Sequence, residues 1–177
     1  MASLIFSHGN GFPASTYRSL TNNLIQRGFK VRSIEKLGHQ EKFPVTSNWP
    51  HLGQEVTEFA KQSIQETGET PYMVGHSLGG LLSLMCASRH PKLCAGVVLL
   101  DSPVVGGWKA SALQLAKKTN WIESVGPGRI SQTRRQHWPD VDAVVAHFKH
   151  KRAFSHWHPD ALRDYAEHGT IEEDGPV

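Results

Sequence analysis

The sequence predicts an α/β fold, a mostly parallel sheet flanked by helices and followed by a helical cap. Three observations lead there. Apolar runs of strand length alternate with amphipathic helical stretches through the first 103 residues. A G-x-S-x-G turn stands at one of the strand-to-helix junctions. After Pro103 the alternation stops and only helical periodicity remains. At roughly 150 residues per domain, the 177 residues allow one domain, or one domain with an insertion. The expected layout is a core over 1–103 and a cap over 104–177.

Each element has its own signal. Ser3–Ser7 is a short apolar run that ends at His8-Gly9. Tyr17, Leu20 and Leu24 share a helical face, so 15–27 reads as a helix closed by Gly28. Lys30–Glu35 reads as the second strand. Gly38, Pro44, Asn48 and Pro50 mark 36–50 as loop. Leu52, Val56, Phe59, Ala60 and Ile64 give a second amphipathic helix, ended by Gly68. Pro71–His76 is the third strand. Leu78, Leu81, Leu82, Met85 and Cys86 repeat at helical spacing, which predicts a helix over 78–89. Ala95–Leu100 is an apolar run of the kind a central parallel strand shows.

In the second half, 109–119 has a helical pattern and Gly126-Pro127-Gly128 breaks the chain. Pro139 opens a helix with Val141, Val144, Val145 and Phe148 on one face, acids at its start and bases at its end, as the helix dipole favours. Pro159 opens another, carrying Leu162, Tyr165 and Ala166. Trp108, Trp121, Trp138 and Trp157 all fall in this half. They and the valine stripe either line an acyl pocket or pack the cap on the core.

Composition narrows the function classes. Hydrophobic residues make up 38% and charged residues 20%, enough apolar material for a core. No apolar run approaches the ~20 residues of a membrane span, and the N-terminus reads as a strand, so no membrane association is expected. The net charge of +3 is spread along the chain and only 109–135 is locally basic, so no nucleic-acid partner is expected. Cys86 and Cys94 cannot form a disulfide framework, and a reducing, cytoplasmic location fits.

The chemistry concentrates in two motifs. In Gly75-His76-Ser77-Leu78-Gly79, the flanking glycines let strand and helix approach closely, and the tight turn lifts the Ser77 hydroxyl above the sheet edge. The helix N-terminus adds positive potential where charge develops in acyl transfer. The turn His8-Gly9-Asn10-Gly11-Phe12-Pro13 follows the first strand. Its backbone N–H groups, that of Asn10 in particular, can form an oxyanion hole with the N–H of Leu78. His8 reads as a structural residue bonding this loop, and His76 as pointing away from the nucleophile.

Together these motifs resemble the α/β-hydrolase superfamily over nearly the whole chain. Ser7 to Pro13 is similar to the family's oxyanion loop, Gly75 to Gly80 to its nucleophile elbow, Leu99 to Pro103 to the end of its sixth strand, and 104–170 to its helical cap. The resemblance implies a partial α/β-hydrolase fold with sheet order 4-3-5-6 in the family's strand numbering. It also implies hydrolysis of an ester, thioester or similar acyl bond of a small-molecule substrate by a Ser-His-acid triad. No cofactor or metal is implied.

The family's chain order is Ser, acid, His, with the acid after a seventh strand and the His after an eighth. No strand pattern for either follows the cap, so the sequence reads as a hydrolase truncated at its C-terminus. Asp101, ending the strand beside that of Ser77, is the candidate acid, or else a turn residue. His150, His156, His158 and His168 lie in the right chain order for a base, with no motif to choose among them. His156-Trp157-His158-Pro159-Asp160 and the His147/His150 pair lack the convergent ligand set of a metal site, and none is expected. Two other readings stay open: a catalytically incomplete hydrolase fold acting as a binding or interaction module, and C–C bond hydrolysis or acyl transfer on the same elbow. An apolar strand at 95–100 with no neighbour beyond it would also be a bare edge, through which self-association is expected.

Overall fold

The computed structural model describes residues 1–104 and 137–171. The helix expected over 109–119, the break at 126–128, and Trp108 and Trp121 lie outside the described residues. The chain divides into two compact units. One holds Met1–Ser102 and the chain from Asp140 onward, and every element labelled below belongs to it; the other is Pro103–Pro139.

The first unit is built on four parallel strands in the order β2-β1-β3-β4, with β1 at Ser3–Ser7, β2 at Lys30–Ser33, β3 at Tyr72–His76 and β4 at Gly96–Leu100. This is the order the resemblance implied. Helices α1 (Arg18–Gln26), α2 (Pro50–Thr67) and α3 (Leu78–Arg89) connect the strands, and α4 (Val141–Lys149) and α5 (Pro159–His168) follow. Among the described residues, no helix is long and apolar enough to cross a membrane.

The period of two along the strands sorts the core into two faces. Ile5 and Met73 point to one side, where Leu52, Val56 and Ala60 of α2 and Leu82 and Cys86 of α3 cover them. Leu4, Phe6 and Val74 point to the other, against Tyr17 and Leu24. Parallel strands buried on both faces need such unbroken apolar runs, and β1 is buried at all five residues. β4 is an edge of the described sheet, and there Val98 and Leu99 are exposed.

Element ends depart from expectation where side chains compete for the backbone. The first helix was expected from residue 15, but Ala14–Tyr17 forms a 3-10 turn in which Thr16 donates both its N–H and its hydroxyl to the Pro13 carbonyl. β2 was expected to reach Glu35, yet it ends at Ser33. The Glu35 carbonyl instead accepts the Ala14 N–H at 2.9 Å, and its carboxylate accepts from Ser15. Pro50, expected in a loop, occupies the first turn of α2, where its missing N–H costs nothing. α4 begins two residues after the expected Pro139 because Asp140 caps it, accepting the Ala143 N–H at 2.7 Å.

α5 is fastened to the start of α1. The Asp164 carboxylate, buried, accepts both the N–H and the hydroxyl of Ser19 at 2.5 Å. It thereby satisfies one of the free donors at the α1 N-terminus from another element.

Candidate active site

Ser77 sits between β3 and α3 with φ +50° and ψ −116°. A serine rarely adopts positive φ, and the surroundings hold it there. Its N–H donates to the Leu100 carbonyl of β4 at 3.0 Å, and its own carbonyl accepts from Gly80 at 3.1 Å and Leu81 at 3.3 Å. The glycines around it are sterically required. A Cβ on Gly79 would fall on the carbonyls of Ser7 and His8, and one on Gly75 would fall on the Gly79–Gly80 backbone. α3 thus abuts both its own strand and the end of β1, which sets Ser77 at the C-terminal edge of the sheet beside the loop that follows β1.

That loop is tied down on every side. Gly9 donates its N–H to the Tyr17 hydroxyl at 3.1 Å, and its carbonyl accepts the Phe12 N–H at 3.2 Å. His8 Nδ1 lies 2.8 Å from the same carbonyl, while His8 Nε2 accepts the Leu37 N–H at 2.8 Å. An Nε2 that accepts is unprotonated, so the His8 proton is on Nδ1 and donated to Gly9. Burial holds the His8 pKa below its usual value, which keeps the ring neutral in this role. His8 is therefore structural, as expected. Among the described residues, neither the Asn10 nor the Leu78 N–H has a hydrogen-bond partner.

His76 turns toward the same loop. Its Nδ1 is 2.7 Å from the Tyr17 hydroxyl and its ring is edge-on to Phe12. Burial raises the Tyr17 pKa, so its hydroxyl stays protonated; it accepts from Gly9 and donates to His76. In the sequence Tyr17 is only a core position of an amphipathic stretch. Its periodicity was visible in the sequence, but the partner of its hydroxyl was not.

Asp101 lies one residue beyond the backbone that Ser77 bonds. It follows Leu100, the residue that accepts the Ser77 N–H, and it too has positive φ, +44°. None of the four candidate bases hydrogen-bonds Ser77 among the described residues. His158 caps α5, accepting the Asp160 N–H at 3.3 Å, and His168 Nε2 lies 2.9 Å from the Arg18 guanidinium. His150 and His156 are exposed. Among the described residues, no three His, Cys, Asp or Glu side chains converge as metal ligands.

An aromatic cluster adjoins the loop. Phe12 packs against Tyr165 with ring centroids 5.4 Å apart and against Trp157 at 6.4 Å. Phe154 joins both, and Phe148 closes the cluster behind Phe154 and Tyr165. Val144 and Phe148 of the expected stripe are buried, while Trp157 is 37% exposed.

Comparison with known proteins places this geometry. The family model described as serine aminopeptidase, S33, matches residues 1–137. A monoglyceride lipase homolog of monkeypox virus is 27% identical over 167 residues, covering 87% of this chain and 60% of its own length. Lysophospholipase L2 of Escherichia coli K12 is 26% identical over 176 residues, covering 91% and 49%. Among solved structures, the peroxisomal α/β-hydrolase Lpx1 of Saccharomyces cerevisiae aligns with a TM-score of 0.60 at 15% identity, over 94% of this chain and 49% of that one. The chain spans about half the length of these proteins. With a family model matching residues 1–137 and the strand order β2-β1-β3-β4 in place, the chain belongs to the serine aminopeptidase S33 family of α/β-hydrolases.

Proposed function

We propose that the protein is a serine esterase whose nucleophile is Ser77, with the N–H groups of Asn10 and Leu78 as its oxyanion hole and Asp101 as the acid of its triad. The observation that carries this reading is the backbone of Ser77. A serine held at φ +50°, at the end of β3 and the start of α3, presents its hydroxyl where the helix N-terminus and an unpartnered loop N–H can stabilise an oxyanion.

The reaction class follows from the parts. The Ser77 hydroxyl adds to an acyl carbonyl, the alcohol or thiol leaves, and water releases the acyl group from Ser77. The general base is an imidazole, sought first among His150, His156, His158 and His168. Phe148, Phe154, Trp157 and Tyr165, from the stretch read as the cap, form an apolar wall beside Phe12. That wall favours an apolar acyl compound. The lipase and lysophospholipase names of two relatives favour a carboxylic ester over an amide. The two free thiols, Cys86 and Cys94, suit a reducing compartment such as the cytoplasm.

The test is covalent labelling with a fluorophosphonate, read by intact mass, beside Ser77→Ala. Rapid single labelling that disappears in the variant is the expected result. A folded chain that does not label would overturn the assignment of Ser77 as an activated nucleophile.

A further inference from the structure

The peptide that carries the proposed oxyanion donor is oriented by residues far from it in sequence. The Gly9 carbonyl and the Asn10 N–H belong to one planar trans peptide, so they point in opposite directions. The Gly9 carbonyl is fixed by His8 Nδ1 and the Phe12 N–H. Fixing it aims the Asn10 N–H the other way. The direction of His8 is in turn set by its second nitrogen, held by the Leu37 N–H.

Leu37 belongs to the loop between β2 and α2, which has no regular structure of its own to hold it. It is buried, and the residue after it, Gly38, has φ +76°. The Gly38 N–H donates to Glu55 Oε2 at 2.8 Å, and the Gln40 side-chain amide donates to Glu55 Oε1 at 3.3 Å. Glu55, on α2, is 2% exposed. A carboxyl is seldom buried this far without a purpose for its acceptors, because desolvation disfavours its charged form. Its pKa is accordingly raised by burial, with the Gly38 bond and the nearby His39 opposing.

We infer that Glu55 is a positioning residue for the oxyanion loop, acting through the Leu37–Gln40 loop and His8 to aim the Asn10 N–H. The inference rests on the proposed esterase reading, since an aimed donor matters only where an oxyanion forms. Glu55 touches no substrate in this scheme. It holds the loop, the loop holds the tautomer and direction of His8, and His8 holds the peptide. A donor displaced by about 1 Å can cost on the order of 10² in rate.

The experiment uses the full chain with Glu55→Leu, which keeps bulk but has no acceptor, and Glu55→Gln, which keeps an acceptor for the Gly38 N–H. Two readouts are taken. The first is the imidazole nitrogen resonances of His8, which report its tautomer whether or not the protein turns over. The second is kcat and KM for a p-nitrophenyl ester, with Ser77→Ala as the blank. The expected result is a His8 proton confined to Nδ1 in the native chain, redistributed in Glu55→Leu and restored in Glu55→Gln. With it goes a kcat lower by about 10- to 100-fold in Glu55→Leu, KM within about twofold, and recovery in Glu55→Gln. If Glu55→Leu does not fold, Gln40→Ala removes one of the two loop bonds and should shift the same resonances in the same direction. An unchanged His8 tautomer in a folded Glu55→Leu overturns the relay. A changed tautomer with unchanged kcat overturns the positioning role alone. A native chain with no Ser77-dependent turnover overturns the esterase reading, and the positioning role with it, while the resonances still show whether the relay exists.

Discussion

Replacing Gly79 by alanine should be among the most damaging single changes in the protein, and Gly53→Ala among the most benign. Both glycines lie in helices, α3 and α2, where alanine is the better helix former by about 1 kcal/mol. The difference is what a new methyl meets. At Gly79 it falls on the backbone carbonyls of Ser7 and His8. Those carbonyls end β1, which is paired with β2 on one side and β3 on the other and cannot retreat. A carbon needs roughly 3.5 Å from its neighbours, so α3 must move bodily away from the sheet. Overpacking of that kind costs about 3 kcal/mol or more, well beyond the propensity gain. At Gly53 the methyl meets only the Met85 Cε, at 3.2 Å. That is the far end of a flexible side chain, which can swing aside. Gly68→Ala makes a third case. Nothing lies within 4 Å, but φ is +69°, so its penalty is conformational, about 1–2 kcal/mol. For a chain of this size, 1 kcal/mol moves Tm by about 2–4 °C. Thermal unfolding should therefore show a drop of about 6–12 °C for Gly79→Ala. Gly68→Ala should drop by about 2–8 °C and Gly53→Ala should hold steady or rise by about 2–4 °C. A Gly79→Ala chain as stable as the native one, or equal losses at 79 and 53, would refute the close seating of α3 on β1.

Three further outcomes follow from the described contacts. Burial and the neighbouring Cys86 push the Cys94 thiol from 9.0 up to about 12, so its thiolate fraction at pH 8 falls by about 10³; iodoacetamide should leave Cys94 unmodified on the timescale that consumes a free cysteine, and equal rates would refute it. Because burial lowers the folded pKa of His8, the unfolded chain takes up that proton first as pH falls, and stability should decline from about 6.5 downward until the folded ring is protonated too. The fall in urea midpoint between pH 7.5 and 5.5 should shrink in His8→Asn, and an unchanged fall would sink this assignment. The exposed Val98 and Leu99 on the β4 edge should drive concentration-dependent association, seen as a rising mass in light scattering and suppressed by Val98→Lys; a constant monomer mass at high concentration would remove that edge as a pairing surface.

What could be read from the sequence was whatever repeats or is locally forced. The four strands and the bounds of α3 follow from apolar runs and from a turn that needs glycine at 75 and 79, and the strand order follows from the family resemblance those motifs carry. Element ends differ from the sequence pattern where a side chain from elsewhere captures backbone groups. Glu35 leaves β2 because Ala14 and Ser15 take its carbonyl and carboxylate, and no pattern along 30–35 records those partners. The candidate site divides the same way. The roles proposed for Ser77, Asn10 and Leu78 can be read along the sequence because they belong to the backbone of a local motif. Those of Tyr17 and Glu55 cannot, because each acts through hydrogen bonds to residues 8 to 59 positions away. The base stayed open for the same reason: eleven histidines give many candidates, and only the fold can say which one faces the hydroxyl.

Asp101 is where the backbone and the chemistry can be separated. Its φ of +44° turns the chain sharply after β4 and brings the Ser102 hydroxyl back to the carbonyls of Gly75, at 3.4 Å, and Leu100, at 3.3 Å. A Cβ on Gly80 would strike that same hydroxyl, so Ser102 packs on the elbow from behind. Aspartate and asparagine tolerate positive φ better than most residues, which gives a turn-forming reason for Asp101 that needs no catalysis. Asp101→Asn keeps that tolerance and removes the charge, whereas Asp101→Ala loses both. If Asp101 serves only the turn, Asn should match the native chain in stability and in kcat, while Ala should lose about 1–2 kcal/mol to strain. If Asp101 is the acid that orients and stabilises an imidazolium, Asn should keep the stability yet lose up to about 10⁴ in kcat. The proposed triad requires the second result. An Asp101→Asn chain with native kcat would leave the proposed roles of Ser77, Asn10 and Leu78 untouched and would send the search for the acid elsewhere.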